Sequence, residues 1–267
     1  MGLIAPDFDY LISLLVKNNI TLQPVPNEHY SIFLLPGERV ALNLIPLQND
    51  FTPESLMAIQ ESYKQHQVLL IHLWADVWLT KTEQVLDRIK SIAGLNSRIH
   101  GRKTTVVTIH QKEADKFMER NHINGAAKAR HKYGLLYNGE LVAVATFSSS
   151  RLMKHQAIGY RSTELIRFAS KGGVTIVGGL TKLLKYYATK HQVQDIMTYA
   201  DRDWSDGRGY LSAGFKQTQI ISPLGIWIDA SSMQRYNAVK LGEDTMERST
   251  TYIRAFNTGS LKFLLYL

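Results

Sequence analysis

Val174 to Phe215 reads VTIVGGLTKLLKYYATKHQVQDIMTYADRDWSDGRGYLSAGF, and it carries the pattern of a strand end, a glycine turn, a helix, a strand, a polar loop and a short helix. Leu180, Leu183, Leu184 and Tyr187 recur at helical spacing after Gly178 and Gly179, and Asp195 to Tyr199 is a short β-type run ending in charged residues. A glycine pair that opens a helix leaves the first backbone N–H groups free and lets an anion approach the helix's positive end. Gly178 and Gly179 therefore read either as an anion cradle or as a tight turn with no ligand. Two other phosphate and cation motifs fail on spacing. Gly173 to Gly178 has P-loop spacing, but Gly179 and Leu180 follow where Lys and Ser or Thr are needed. Asp201, Asp203 and Ser205 begin like a calcium loop, but Asp206 replaces its glycine and Ser212 its bidentate glutamate.

The stretch resembles the core of the GNAT acyltransferases, in which a glycine-rich turn and helix hold the coenzyme A pyrophosphate and a later helix ends in Y-x-x-x-G-F. Tyr210, Gly214 and Phe215 match that ending, and Gly178 matches the turn, whose other pattern positions fall on Thr175 and Leu180. Five ordered blocks between Arg98 and Asp229 are similar to the Mom-like, GNAT-related domain of phage DNA-modification proteins and of some phage homing-endonuclease-type proteins. They are RIHGRK (98–103), FMERNHINGAAKARHKYGLLYNGELVAVATF (117–147), ELIRFAS (164–170), IVGGLTKL (176–183) and YADRDWSDGRGYLSAGF (199–215).

The resemblance implies an α/β (α+β) fold with a GNAT-like mixed sheet and flanking helices, and acetyl-CoA or a related acyl-CoA as cofactor. Val177, Gly178, Gly179, Leu180 and Thr181 would hold that cofactor. In such a reaction an amine attacks the thioester directly, so a base and a proton for the departing thiolate are needed. Tyr210 falls at the family position that protonates the thiolate, and Asp201 is the candidate base. Tyr199, Asp203, Ser205 and Arg208 would line the same pocket, with Glu164 and Arg167 on the neighbouring strand. The competing reading of this loop is structural: a salt-bridged Asp201-Arg202-Asp203, an ordinary Asp206-Gly207 turn and a core Tyr210.

The 267 residues carry 31 Lys and Arg against 23 Asp and Glu, a formal charge of +8, with 45% hydrophobic residues and no cysteine. That length and apolar content suffice for one large or two small packed domains. Without cysteine there are no disulfides, thiolate metal sites or cysteine nucleophiles, and no other metal set is expected. No run reaches the roughly eighteen apolar residues of a membrane span, and Met1 to Lys17 lacks signal-peptide features, so a cytoplasmic location with no membrane partner is expected. The positive charge suits DNA or another nucleic acid as well as solubility alone. Basic residues cluster at Arg98, His100, Arg102 and Lys103, and again at Lys128, Arg130, His131 and Lys132. Asn121 and His122 close a helix over Gln111 to Arg120, where His122 reads as a cap or as a substrate contact.

Three segments are expected: 1–97, 98–230 and a structural extension, 231–267. In the first, residues 6–22 read as a short helix with an apolar run from Leu11 to Val16, Tyr30 to Leu35 and Arg39 to Ile45 form a hairpin around Pro36-Gly37-Glu38, Ser55 to His66 is a helix, Val68 to Trp74 a strand and Lys81 to Ala93 an amphipathic helix stopped by Gly94. YSIFLLPGERVALNLI (30–45) and HLWADVW (72–78) resemble a restriction-endonuclease-like domain of the very-short-patch-repair type. The carboxylates of that family fall here on Ser31, Asn43 and Ala75, leaving Asp76, so no DNA cleavage is expected. In 98–230, Thr104 to Ile109 is a strand, Asn138-Gly139 turns a hairpin between Tyr133–Tyr137 and Leu141–Phe147, and Glu164 to Ala169 leads to the glycine turn. Ser231 to Lys240 reads as a helix, and the apolar end Phe263 to Leu267 as an added strand or core cover. The function that follows is an acyltransferase-type enzyme acting on a nucleic-acid base or related amine. The alternatives are a non-catalytic DNA-binding protein derived from a mobile element and an ordinary small-molecule or protein acetyltransferase.

Overall fold

The computed structural model describes residues 8–37, 39–154, 156–238 and 251–267. The chain packs as two compact units. The first comprises Met1–Thr82, Ala200–Asp206 and Ile220–Leu261, and the second Glu83–Tyr199, Gly207–Gln219 and Lys262–Leu267. The division follows packing rather than chain order. Residues 83–97, expected with the N-terminal segment, belong to the second unit, while 200–206 and most of the C-terminal extension belong to the first.

The first unit begins with α1 (Phe8–Lys17), which buries Leu11 and Leu15, and continues through β1 (Gln23–Val25), β2 (Ser31–Leu34) and β3 (Val40–Ile45). The expected hairpin is present, β2 pairing antiparallel with β3 from Ser31↔Leu44 to Leu34↔Ala41; Glu38 of its turn lies outside the described residues. Helix α2 (Pro53–Gln65) starts at a capping box between Thr52 and Ser55 and crosses to β4 (Leu69–Trp74), parallel to β3. Strand β3 is buried throughout, as its nearly continuous apolar sequence requires. Its exception, Asn43, lies opposite His72 of β4, and their side chains meet at 3.2 Å. His72 also reaches the Leu56 carbonyl at 3.1 Å, and burial lowers its pKa to about 4, so the ring is neutral at neutral pH. A short helix, α3 (Ala75–Thr80), follows.

The second unit opens with α4 (Thr82–Ile92), whose Val85 and Ile89 are buried and whose end is followed by Gly94 at φ +76. After it come β5 (Ser97–His100), a 3-10 turn (Gly101–Lys103), β6 (Thr105–Thr108), α5 (Gln111–Asn121), β7 (His131–Tyr137), β8 (Glu140–Phe147), β9 (Arg151–Leu152) and β10 (Arg161–Ser170). Asn138 and Gly139 take φ +49 and +79, the two left-handed positions of the expected two-residue hairpin. Strand β11 (Val174–Val177), helix α6 (Gly179–His191), β12 (Asp195–Asp201), α7 (Arg208–Ser212) and β13 (Lys216–Ile221) follow, in the order expected from the glycine turn onward. Helix α6 buries Leu183, Leu184 and Tyr187; the Tyr187 ring stacks on Phe147 at 4.1 Å, and its hydroxyl lies 3.0 Å from Thr163 Oγ1.

The chain then supplies β14 (Gly225–Asp229), β15 (Arg235–Asn237), β16 (Tyr252–Phe256) and β17 (Ser260–Tyr266). Strands β15, β14 and β16 form a three-stranded sheet of the first unit. The larger sheet runs β13-β17-β12-β10-β8-β7-β6, with β9 on β10, so the apolar terminus adds a strand as expected. This is a mixed α/β architecture with helices flanking a mixed sheet.

Two local expectations are corrected. From Ser231 to Asn237 the chain is a turn and a strand rather than a helix. The Asp229 carboxylate accepts from the Ser231 and Ser232 N–H groups at 2.9 and 2.8 Å, Met233 takes φ +56, and Arg235–Asn237 pairs with β14. An Asx turn competes directly with a helix for those donors. Lys240 lies outside the described residues. Strand β10, in turn, does not lead straight into the glycine turn: β11 intervenes and pairs in parallel with β5, from Val174↔Ser97 to Val177↔His100.

Candidate active site

The register of β5 with β11 fixes what surrounds the glycine turn. His100 lies opposite Val177, so the 3-10 turn after β5 abuts the turn after β11. A Cβ on Gly101 would come within 3.0 Å of the Val177 carbonyl oxygen and 3.2 Å of Gly179 N. Lys182, in the first turns of α6, ties the two together by donating to the Gly101 and Thr104 carbonyls. Gly178 is the N-cap at φ +73, which L side chains rarely adopt, and no side chain caps the helix. At Gly179 a Cβ would fall 2.6 Å from Ile176 Cγ2, so glycine is required there by space as well. The first N–H groups of α6, at Gly179, Leu180 and Thr181, thus have no helical acceptor and no side-chain cap. Arg102 and Lys103 are exposed beside them, and Val177 is 43% exposed. These groups fit phosphate: a helix N-terminus without a cap, glycines that admit a ligand, and two cations alongside.

Within the same unit the larger sheet opens. Strands β10 and β12 pair in parallel at Ser162↔Asp195, Thr163↔Ile196 and Glu164↔Met197, and among the described residues the pairing stops there. Strand β10 continues to Ser170 and stays paired with β8, with a bulge between Leu165 and Arg167 that turns it from its parallel neighbour. The Thr198 hydroxyl donates to the Leu165 carbonyl at 2.9 Å, filling the first missing rung with a side chain. Strand edges that part in this way can pair with an extended amide chain.

Within this unit Arg167 feels the charges of Glu164 and Tyr210, and His122 those of Arg167 and of Arg88 on α4. Tyr210 is held on α7 against Phe215 and Phe263, each ring centroid 5.5 Å away. Burial lowers the pKa of Arg167, opposed by Tyr210 and Glu164, whereas Arg88 is exposed on α4. Burial, then the charges of Arg167 and Arg88, bring His122 down to about 3, so its ring is neutral at neutral pH. Asn121 is structural: its side-chain oxygen accepts from Gly172 N at 2.9 Å, and its amide donates to the Phe117 carbonyl at 2.8 Å. Tyr199 is 41% exposed on β12. Arg208 opens α7 and is exposed, as are Lys128 and Arg130 before β7.

Asp201, Asp203 and Ser205 fall in the first unit, whereas Tyr199, Arg208 and Tyr210 fall in the second. Asp203 is 2% exposed, and its carboxylate accepts from the Thr258 N–H at 2.8 Å and hydroxyl at 2.7 Å; its backbone N–H donates to Asp201 Oδ1 at 3.1 Å. Asp76, 1% exposed, takes a bidentate bond from Arg235 at 2.6 and 2.9 Å. Burial first, and then the charge of Asp203, raise the pKa of Asp201 to about 7; burial also raises Asp203. Arg235 is raised despite its burial, first by the hydrogen bonds it donates to Asp76 and then by the charges of Asp76, Asp203 and Asp201. The density of charge in the 201–206 loop is here an internal network anchored by Arg235, Thr258 and the backbone.

Sequence reading did not single out Arg88 or Arg235. Arg88 sits on the polar face of an amphipathic helix, where Lys90 looks equally qualified, and Arg235, in a stretch expected to be helical, lies on β15 instead. Only the partners of each residue distinguish it.

No protein-family model matches the chain, and no curated protein matches it. Among solved structures it is similar to a GNAT family acetyltransferase from Elizabethkingia anophelis with acetyl-CoA bound, at 13% identity over 62% of this chain and 99% of that one, with a TM-score of 0.38. It is also similar to the Bacillus subtilis acetyltransferase in complex with CoA, at 15% identity, 62% and 99% coverage and a TM-score of 0.39. A third is the ribosomal-protein-S18-alanine N-acetyltransferase from Escherichia coli, at 12% identity, 61% and 93% coverage and a TM-score of 0.37.

Proposed function

We propose that the second unit is an acyl-CoA-dependent N-acyltransferase of the GNAT type whose acceptor is an amine of a nucleic acid. The observation that carries this reading is the uncapped N-terminus of α6 at Gly178 and Gly179, flanked by Arg102 and Lys103, in the same unit as the parting of β10 and β12. A cofactor with a pyrophosphate at one end and an extended amide arm at the other matches both features. Val177 to Thr181 would hold the phosphates through backbone N–H groups, with Arg102 and Lys103 adding charge. This reassigns those two basic residues from nucleic acid to cofactor.

The bound acyl-CoA would supply an activated thioester. The protein's own task is then to position the amine, remove its proton and protonate the leaving sulfur. Tyr210, packed on Phe215 and Phe263, is a hydroxyl held in fixed orientation and serves as the proton donor. Glu164, at the last rung of the β10–β12 ladder, is the carboxylate of this unit suited to take the amine's proton, and it replaces Asp201 in that role. The nucleic-acid acceptor is supported by the formal charge of +8 and by the exposure of Lys128 and Arg130.

The test is label transfer. Full-length protein is incubated with acyl-labelled acetyl-CoA and single- or double-stranded DNA, and the DNA is digested to nucleosides for mass spectrometry. A nucleoside heavier by one acyl group, lost with Tyr210→Phe, is expected. DNA binding without any transferred label would instead make the protein a non-catalytic nucleic-acid binder.

A further inference from the structure

Strands β8 and β10 pair within the larger sheet, but the chain between them runs past the end of β8 as a narrow arm, residues 149–161. It leaves the sheet at Ser148, whose N–H donates to the Glu164 carbonyl at 2.9 Å and whose Oγ accepts from the Glu164 N–H at 3.0 Å. Beyond that point the two sides pair with each other: Arg151 lies opposite Ser162 and Leu152 opposite Arg161, and the Met153 N–H donates to the Tyr160 carbonyl at 2.9 Å. The tip is turned by the Gln156 N–H, which donates to the Met153 carbonyl at 3.2 Å, and by Gly159 at φ +82. The root is fastened on both sides, Arg161 donating from Nη1 to Ser150 Oγ at 3.1 Å and from its backbone N–H to Gln194 Oε1 at 2.6 Å. The arm is a two-stranded ribbon on a fixed base.

Its side chains are apolar at the tip and basic around it. Leu152, Met153 and Ile158 are exposed, Ile158 completely. Between Ser148 and Ser162 the sequence has Arg151, Lys154 and Arg161 and no acidic residue. Arg151 and Lys154 are exposed and, among the described residues, make no hydrogen bond or ion pair. Asp195, across from Ser162 on β12, is buried and accepts from the Ser162 hydroxyl, so it does not offset these charges at the surface. The Arg130 N–H donates to the Phe147 carbonyl at 2.8 Å, which sets the exposed Arg130, with Lys128 two residues before it, at the foot of the arm. Apolar side chains held in water favour a partner that covers them, and the surrounding cations repel a second copy of this chain and attract a polyanion. A two-stranded ribbon fits the groove of a nucleic-acid duplex, where phosphates line both walls and base edges and base steps accept apolar side chains.

We propose that the 149–161 arm enters a groove of duplex nucleic acid, with Arg151 and Lys154 on the phosphates and Leu152 and Ile158 against the bases. The proposal rests on the nucleic-acid reading above and deepens it. Strand β10 carries the root of the arm at Arg161 and, three residues on, Glu164, about 10 Å along the strand. A duplex gripped by the arm is therefore anchored on the strand that bears the carboxylate assigned to the amine's proton.

The test measures binding of full-length protein to a fluorescent DNA duplex and to one of its strands alone, at several salt concentrations, with acyl transfer to the DNA followed on the same samples. Two double variants are compared with wild type: Leu152→Ser with Ile158→Ser, and Arg151→Gln with Lys154→Gln. The duplex should bind more tightly than the single strand. The apolar pair should weaken duplex binding about ten-fold with its salt dependence unchanged. The cation pair should weaken it and flatten the slope of log affinity against log salt by roughly one to two. Duplex binding indifferent to both pairs, or equal or tighter binding to the single strand, overturns the proposal. So does arm-dependent binding to vesicles of phosphatidylcholine and phosphatidylserine that exceeds binding to the duplex, which makes the arm a membrane contact. Label transferred to DNA with arm-independent binding leaves the acyltransferase reading standing without the arm. Arm-dependent duplex binding with no label transferred keeps the arm and removes the catalytic reading.

Discussion

Replacing Asp201 by asparagine should stabilise the protein, and only above mildly acidic pH. Asp201 has a folded-state pKa of about 7, against an ordinary 3.8, because burial and the neighbouring Asp203 both oppose its charge. A carboxyl raised in this way keeps its proton in the native state over a range where the unfolded chain has already lost it. Stability is therefore fully present below about pH 4 and falls as pH rises toward about 7. The shift spans some three pK units, a ceiling of ~4 kcal/mol at about 1.4 kcal/mol per unit, and the partial solvent access of Asp201 reduces the expected gain to roughly 1–3 kcal/mol. Asparagine mimics the protonated form and can still accept the Asp203 N–H bond, so Asp201→Asn should recover that energy at about pH 8 and gain nothing at about pH 4. All four tryptophans, Trp74, Trp78, Trp204 and Trp227, lie in the first unit, so urea unfolding followed by their fluorescence reports on the right part of the chain. A variant less stable than wild type at the higher pH, or one whose effect is the same at every pH, would refute the reasoning.

The bidentate Asp76–Arg235 pair gives the opposite sign: Arg235→Gln leaves a 1%-exposed carboxylate without its cation, and a loss of about 3–5 kcal/mol is expected in the same assay. Tyr210→Phe should lower the rate of acyl transfer by about 100-fold or more with little change in CoA affinity, as measured by steady-state kinetics alongside calorimetry. Exchanging Lys128 and Arg130 for glutamate should weaken DNA binding and flatten its salt dependence while leaving CoA binding unchanged, a pattern read from binding isotherms at several salt concentrations.

Much of the scaffold was legible because it rests on local rules. The Asn138-Gly139 hairpin, the helix from Gly179 bearing Leu183, Leu184 and Tyr187, and the final apolar strand follow from turn chemistry and period alone. The glycine turn was legible as a place but not as an environment. That Arg102 and Lys103 flank it depends on β5 pairing with β11, between segments more than seventy residues apart. Asp201 shows what loop composition leaves open. A cluster of charges in one loop looks like chemistry, but whether it faces a ligand or an internal network depends on Asp76, Arg235 and Thr258, which sequence order scatters. The helix expected over Ser231 to Lys240 failed for a local reason, the Asx turn at Asp229, which residue types permit but do not dictate.

Calorimetric titration of CoA into full-length protein and into Gly179→Val tests the central claim most directly. The wild type should bind CoA saturably, and Gly179→Val, which pushes a branched side chain into Ile176 and disturbs the first N–H groups of α6, should lose at least ten-fold in affinity. Unfolding monitored in parallel shows that the variant is folded, and Arg102→Glu with Lys103→Glu, which alters surface charge alone, should weaken binding in the same direction. A wild-type protein that does not bind CoA, or one whose affinity is indifferent to both changes, would contradict the account.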